Sequence, residues 1–375
     1  MLAGLFMRMC QPNKVWYGRN SLARLRALGQ HKFLVVTSPS QQACGNADLA
    51  VGELRKNGAE VNMYIMPHGE ADMQATRAIT AALDSSSPEA VVALGGGAVI
   101  DAAKMARALR ENPDFNPVPN KMLEFPMTSA RTKLVAIPTT AGSGAEVSVA
   151  SVINDPATRR KLIFLCEDWL PDTAILDGRL LDSQPVDICG RSGLDVLAHG
   201  VEAYVSLRAD LFHRMLAAAT VRETLRLLPK ALEGDRAARQ NMMLLAYLAG
   251  LVQSNCSTGL AHALAHAAGS VWGLRHGTAT GILVTAVIRF NATKCQAIYN
   301  QLACETGFDS INELCAAIEH LRCAAGYPST LRQGLGSSPA EVDSVASIAS
   351  QDPSLKTNPC KLDLSDIEHV LREVL

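Results

Sequence analysis

The run Ala90-Val91-Val92-Ala93-Leu94-Gly95-Gly96-Gly97-Ala98-Val99-Ile100-Asp101-Ala102-Ala103-Lys104 sets the fold. Residues 90–94 form a short, continuous apolar run, which reads as a strand buried on both faces. Three glycines follow at once, and residues 100–110 then carry a helical pattern. Strand, turn and helix in this order open a unit whose next strand lies parallel to the first. The same arrangement outlines a phosphate cradle. Glycines let the backbone approach an anion, and the helix start offers unpaired N–H groups and a positive dipole end. The spacing is not Gly-x-Gly-x-x-Gly, so a plain tight turn explains the glycines as well.

Working outward, residues 32–37 (KFLVVT) and 60–66 read as strands, with a helix at 47–57 between them that ends at Gly58. A helix at 73–83 leads back to Ala90, and residues 134–137 form another strand, ended by Pro138. This alternation predicts an α/β N-terminal domain with a parallel sheet covered by helices. Residues 114–119 read as a loop rich in Pro and Asn. The character changes near Gln184-Pro185. Helical patterns rich in Ala and Leu occupy 193–207, 212–228, 239–252 and 260–271, and a last helix at 364–375 is capped by Asp363 or Ser365. The division is therefore 1–184 for the α/β domain and 185–375 for an all-α C-terminal domain, a length that suits two cores.

Composition narrows the function. Hydrophobic residues at 48% and charged residues at 19% fit a folded enzyme. A formal net charge of -1 leaves no basic excess, so no nucleic-acid partner is expected. No apolar run reaches the ~18 residues of a membrane span. The apolar N-terminus, residues 1–10, is short, contains Arg8 and lacks a small-residue cleavage site, so no signal peptide is expected. The ten cysteines are scattered without a Cys-x-x-Cys pair, which predicts reduced thiols and a cytoplasmic location.

Two groups of residues carry chemistry. The loop Pro138-Thr139-Thr140-Ala141-Gly142-Ser143-Gly144-Ala145-Glu146 follows a strand and is rich in hydroxyls and small residues. Hydroxyls donate to phosphate and ribose oxygens, although a solvated polar loop has the same composition. Two such loops after strands of one sheet would share the end where α/β sheets bind ligands, which favours a nucleotide. In the helical half, Asp195 and His199 are four apart, as are His262 and His266, and His276 follows. An i,i+4 surface pair and backbone-bonded core histidines are the plain explanations. One carboxylate with three or four imidazoles instead suits a divalent metal such as Fe(II) or Zn(II). A nucleotide loop in one domain and a metal cluster in the other suggest hydride transfer between them.

These motifs resemble the iron-containing (group III) alcohol dehydrogenase family over nearly the whole chain, from Lys14-Val15-Trp16-Tyr17-Gly18 to Asn358-Pro359 and the final helix. The glycine run, the loop 138–146, and the segments Gly193-Leu194-Asp195 to Tyr204 and Gly259-Leu260-Ala261-His262 to His276-Gly277 carry it. The resemblance implies a dehydroquinate synthase-like architecture, NAD or NADP as cofactor, Fe(2+) or Zn(2+) as metal, a small alcohol or aldehyde as substrate, and a homodimer or higher homo-oligomer. Asp195, His199, His262 and His276 match the metal ligands, and His266 matches a nearby histidine that is not a ligand and is suited to proton relay or substrate positioning. Gly96, Gly97 and Asp101 match the dinucleotide segment. Thr139, Thr140 and Ser143 match the loop at the pyrophosphate and nicotinamide, and Lys161, after Asn154-Asp155-Pro156, matches a lysine near the nicotinamide ribose.

Three departures bear on specificity. Ala98 stands where the family usually has Ser, which removes a hydroxyl contact. Many NAD-using members of that family have an Asp near the end of the first strand; here the strand ends Val36-Thr37-Ser38-Pro39-Ser40, and the missing carboxylate removes repulsion toward a 2′-phosphate, so NADP(H) is expected to be accepted. Gln253 occupies a pocket position, before Ser254-Asn255, that is often aromatic or apolar in diol-active members of that family, which points to a polar or anionic aldehyde. A polyol or glycerol dehydrogenase, a cyclase such as dehydroquinate synthase, and a non-catalytic metal or nucleotide sensor are the alternatives.

Overall fold

β4 (Ala90–Gly95) is buried along its whole length, which is why its residues do not alternate in polarity. The computed structural model describes residues 9–67, 69–112, 132–155, 160–336 and 340–375. The loop expected at 114–119, the first eight residues of the apolar N-terminus, and Pro156 lie outside them. Seven further strands are β1 (Lys14–Tyr17), β2 (Lys32–Thr37), β3 (Glu60–Ile65), β5 (Lys133–Pro138), β6 (Ala150–Asp155), β7 (Arg160–Leu165) and β8 (Thr173–Leu176).

Six strands form one sheet in the order β1-β8-β5-β4-β2-β3, with every pairing parallel. β6 and β7 form a separate antiparallel hairpin. Val36, Val91, Ala93 and Leu134 pack with residues of the helices Met73–Ser86 and Gly97–Glu111. On the other face, Val35, Val92, Leu94 and Ile137 pack with Leu22, Leu25 and Leu54. Each such side chain contributes about 1.5–3 kcal/mol by leaving water.

The sheet order creates the ligand crevice. From β2 the chain runs outward to β3, then returns to the opposite side of β2 as β4. That reversal is the point where open α/β sheets leave room at the carboxyl ends of the strands. Register keeps those ends level: Thr37 pairs with Leu94, and Gly95 with Pro138. The loops after β2, β4 and β5 therefore leave the sheet side by side.

Among the described residues, no strand occurs beyond Leu176. The long helices are Val186–Val205, Leu211–Leu232, Arg236–Cys256, Leu260–Trp272, His276–Thr306 and Ile311–Ala324. Asp210 and Asp235 start two of them by accepting the His213 and Ala238 N–H groups. The last helix, Leu364–Glu373, begins at Asp363, which forms a reciprocal capping box with Asp366. The helical half meets the sheet half at a pair of glycines. Gly144 has φ +64°, and a Cβ added there would lie 2.3 Å from Gly250 Cα.

Candidate active site between the sheet and the helices

A cleft of about 1120 Å³ separates the strand ends from the helices. That volume suits a ligand larger than a single small molecule. Ser38, Gly96, Gly97, Ala98, Asp101, Thr140, Ser143 and Lys161 line it, as do Asp195, His199, His262, His266 and His276. Thr139 is the exception among the expected residues. Its hydroxyl is buried without a hydrogen-bond partner, and it does not line the cleft.

The two loops of the sheet touch each other. A Cβ on Gly97 would lie 2.7 Å from Ser143 Oγ, and one on Gly96 would lie 3.4 Å from Thr140 Oγ1. The helix starts at Gly97 and not at residue 100, so the first free N–H groups belong to Gly97 and Ala98. These are the features an anion cradle needs. Ser38 and Ser40 stand at the end of β2 with their hydroxyls 3.0 Å apart. Lys161 Nζ lies 3.0 Å from Glu70 Oε1.

Asp101 and its neighbours also build the cleft wall. Asp101 Oδ2 accepts the Val152 N–H at 3.1 Å, and the Ser151 hydroxyl donates to the Asp101 carbonyl at 2.9 Å. Lys104, one turn on, is fully buried and donates to the carbonyls of Ser148 and Ala150, each at 2.8 Å. Burial pushes the Asp101 carboxyl up and the Lys104 amine down. It also pushes Glu146, at the end of the second loop, up to about 7. Asp101 thus ties the glycine helix to the hairpin while facing the cleft.

On the helical side, ligand atoms of Asp195, His262 and His276 all lie within 4.8 Å of one another. Asp195 Oδ1 is 3.7 Å from His262 Nε2 and 3.5 Å from His276 Nε2. His199 is outside this trio but stacks on His262, ring centroids 4.4 Å apart, with its Nδ1 4.0 Å from Asp195 Oδ2. His266 stacks on His276 at 5.1 Å. The spacing of four puts Asp195 and His199 on one face of their helix, and His262 and His266 on one face of theirs.

Three residues of this centre were not anticipated. Glu202 Oε2 lies 2.5 Å from His262 Nδ1, and Oε1 accepts the Ala261 N–H at 2.6 Å. The Thr280 hydroxyl donates to Asp195 Oδ1 at 3.2 Å. Asp352 lies against His266. Glu202 falls three residues after His199, a spacing that marks the same helix face. Thr280 and Asp352 left no comparable signal.

The donor set fits a divalent metal. His199 Nδ1 and His262 Nε2, the ring nitrogens beside Asp195, are buried without hydrogen-bond partners, a state that is costly unless a ligand takes up the lone pairs. Burial pushes His199 down to about 4 and His276 well below its ordinary value, so both present neutral nitrogens at pH 7. Burial would lower His262 too, but the adjoining Glu202 carboxylate outweighs it and raises the ring. With its Nδ1–H donated to Glu202, His262 has Nε2 available as a ligand.

Comparisons with known proteins agree with this picture. Residues 12–178 match the iron-containing alcohol dehydrogenase family, and residues 190–375 match the C-terminal part of the Fe-containing alcohol dehydrogenase family. The chain is similar to the probable alcohol dehydrogenase EutG of Salmonella typhimurium, 34% identical over 333 residues that cover 88% of this chain and 83% of EutG. It is 29% identical to the NADPH-dependent butanol dehydrogenase of Clostridium saccharobutylicum, over 97% of each chain. The structure of the iron-containing alcohol dehydrogenase from Thermococcus thioreducens superimposes with a TM-score of 0.90 at 28% identity, covering 98% of this chain and 99% of that one. The fold and these matches define an oxidoreductase of the alcohol dehydrogenase class. More closely, the chain belongs to the iron-containing alcohol dehydrogenase family.

Proposed function

We propose that this protein is a metal-dependent, NAD(P)-linked alcohol dehydrogenase or aldehyde reductase that acts on a small polar or anionic aldehyde. The observation that carries this reading is the close trio Asp195, His262 and His276 in the same cleft as the glycine loop. Asp195, His199, His262 and His276 would hold Fe(2+) or Zn(2+). Ser38, Gly96, Gly97, Ala98, Asp101, Thr140, Ser143 and Lys161 would hold the dinucleotide, with Thr139 supporting the loop from beneath. When bound, the metal supplies Lewis acidity toward the substrate oxygen and the nicotinamide supplies or takes the hydride.

The chain's own residues do the rest. Neutral imidazoles and Asp195 gather into one donor set. Thr280 orients Asp195, and Glu202 orients His262. His266 takes the alcohol proton in the oxidation direction. The glycine loops place an anionic cofactor beside the cluster. Residues 1–184 serve the cofactor and 185–375 the metal, a division supported by the end of β8 at Leu176 and the helix start at Val186. A homodimer or higher homo-oligomer belongs to the same proposal. So does a cytoplasmic location, supported by the absence of disulfides among the described cysteines. No described helix is long and apolar enough to cross a membrane.

The test is NADH and NADPH oxidation by purified protein reconstituted with Fe(II) or Zn(II) without oxygen, against short neutral, hydroxylated and anionic aldehydes. Metal-dependent turnover, best with polar or anionic members, is the expected result. Bound cofactor without turnover on any aldehyde would favour a metal or nucleotide sensor.

A further inference from the structure

We infer that Asp352 is the positioning residue for His266, fixing the imidazole so that its Nε2 faces the cleft. The inference rests on the reading of His266 as the group that takes the alcohol proton. His266 sits four residues after His262 on the helix Leu260–Trp272, and Asp352 caps the short turn Pro353–Thr357. His266 Nδ1 and Asp352 Oδ2 are 2.8 Å apart. Asp352 Oδ1 accepts the Ser354 N–H, also at 2.8 Å. Both carboxylate oxygens are engaged, so the side chain cannot turn away without uncapping the turn.

A carboxylate only accepts, so the shared hydrogen sits on Nδ1. In the neutral ring, Nε2 then carries the lone pair. His266 lines the cleft with its side chain 15% exposed, and its stack on His276, with planes 13° apart, fixes the ring's tilt. Burial would raise the Asp352 carboxyl, but the adjoining His266 and the Ser354 N–H hold it below its usual range, so it stays an acceptor. The helix thus presents two histidines, each with Nδ1 on its own distant carboxylate. Glu202 frees His262 Nε2 for the metal cluster, and Asp352 frees His266 Nε2 for the substrate.

Asp352→Asn separates positioning from packing. Asn keeps the size and the cap. It also offers an N–H to His266 Nδ1, which reverses that hydrogen bond and moves the ring proton to Nε2. Nitrogen NMR of metal-free protein labelled at the histidine ring reads the tautomer, with His266 assigned by the loss of its signal in His266→Gln. The expected result is a proton on Nδ1 in the natural protein and on Nε2 in Asp352→Asn. In the loaded enzyme, Asp352→Asn lowers kcat at least roughly tenfold, with KM and metal content unchanged. The same change added to His266→Ala costs nothing further.

An Nε2 proton in the natural protein overturns the inference, as does full kcat in Asp352→Asn. Parallel loss of metal and turnover in Asp352→Asn also overturns it, because that marks a structural role. Failure of the natural protein to turn over any alcohol or aldehyde would strike the functional reading, whereas the tautomer measurement judges the positioning by itself.

Discussion

His262 has one nitrogen on Glu202 and the other buried without a protein partner. Leaving such an atom unsatisfied costs about 1–3 kcal/mol, which supports the proposed metal site. His262→Ala and His276→Ala are each expected to abolish metal binding and turnover together, read by metal analysis and assay. Glu202→Gln should weaken metal binding about 10–100-fold in chelator competition while leaving the cofactor affinity unchanged. His266→Ala should keep the metal and slow turnover by roughly 10²–10⁴. Glu146 gives a stability signature away from the metal. Its carboxyl is pushed up to about 7 by burial, against 4.5 in the unfolded chain. Between those values the folded chain keeps a proton that the unfolded chain releases. The contribution is full below pH 4.5 and lost as pH rises through 7, about 3 kcal/mol in all. Glu146→Gln should therefore flatten the stability curve in urea melts across this window, and an unchanged slope would contradict the assignment. That Asp195, His199, His262 and His266 gather at one place was legible because two pairs at helical spacing place their side chains on shared faces. Glu202, three residues after His199, follows the same rule. Asp352 was not legible, since its link to His266 spans 86 residues and leaves no local pattern.

At the scale of elements, the glycine contact between halves is the most exposed to test. Gly144→Ala must place a Cβ 2.3 Å from Gly250 Cα while keeping φ +64°. A destabilisation of about 1–3 kcal/mol or more is expected, with weakened cofactor binding, measured by the urea midpoint and by titration. Wild-type stability in that variant would show that the loop and helix do not meet as described. The buried strands β2, β4 and β5 were legible because parallel strands covered on both faces read as continuous apolar runs. β1 and β8 were not, being only four residues each. The β6–β7 hairpin stands apart from the large sheet; it packs on the glycine helix through Asp101 and Lys104 and bridges to Asp72 through Asn154. The helix Val186–Val205 starts seven residues before the apolar period becomes visible, because Asp187, Arg191 and Ser192 interrupt it. The glycine helix begins at Gly97 because the third glycine is its first residue, which pattern alone hid.

For the whole molecule, the sheet order and the position of the helices converge on one cleft. On its sheet side, Ser38 and Ser40 stand at the end of β2, and on the proposed function a 2′-phosphate would meet no carboxylate from them. NADPH is expected to support turnover at least as well as NADH, and a large kcat/KM advantage for NADH would remove that expectation. Alternation of strands and helices made the architecture legible, since few topologies satisfy it. Which residues meet across the cleft was not, because that depends on how the two halves pack. The most direct measurement is a titration of metal-free protein with Fe(II) under exclusion of oxygen, following NADPH oxidation with an aldehyde substrate. Activity should rise from zero and level off near one metal per chain, and the titration should be silent in His276→Ala. Full turnover before any metal is added, or equal activity in that variant, would contradict a metal-centred active site.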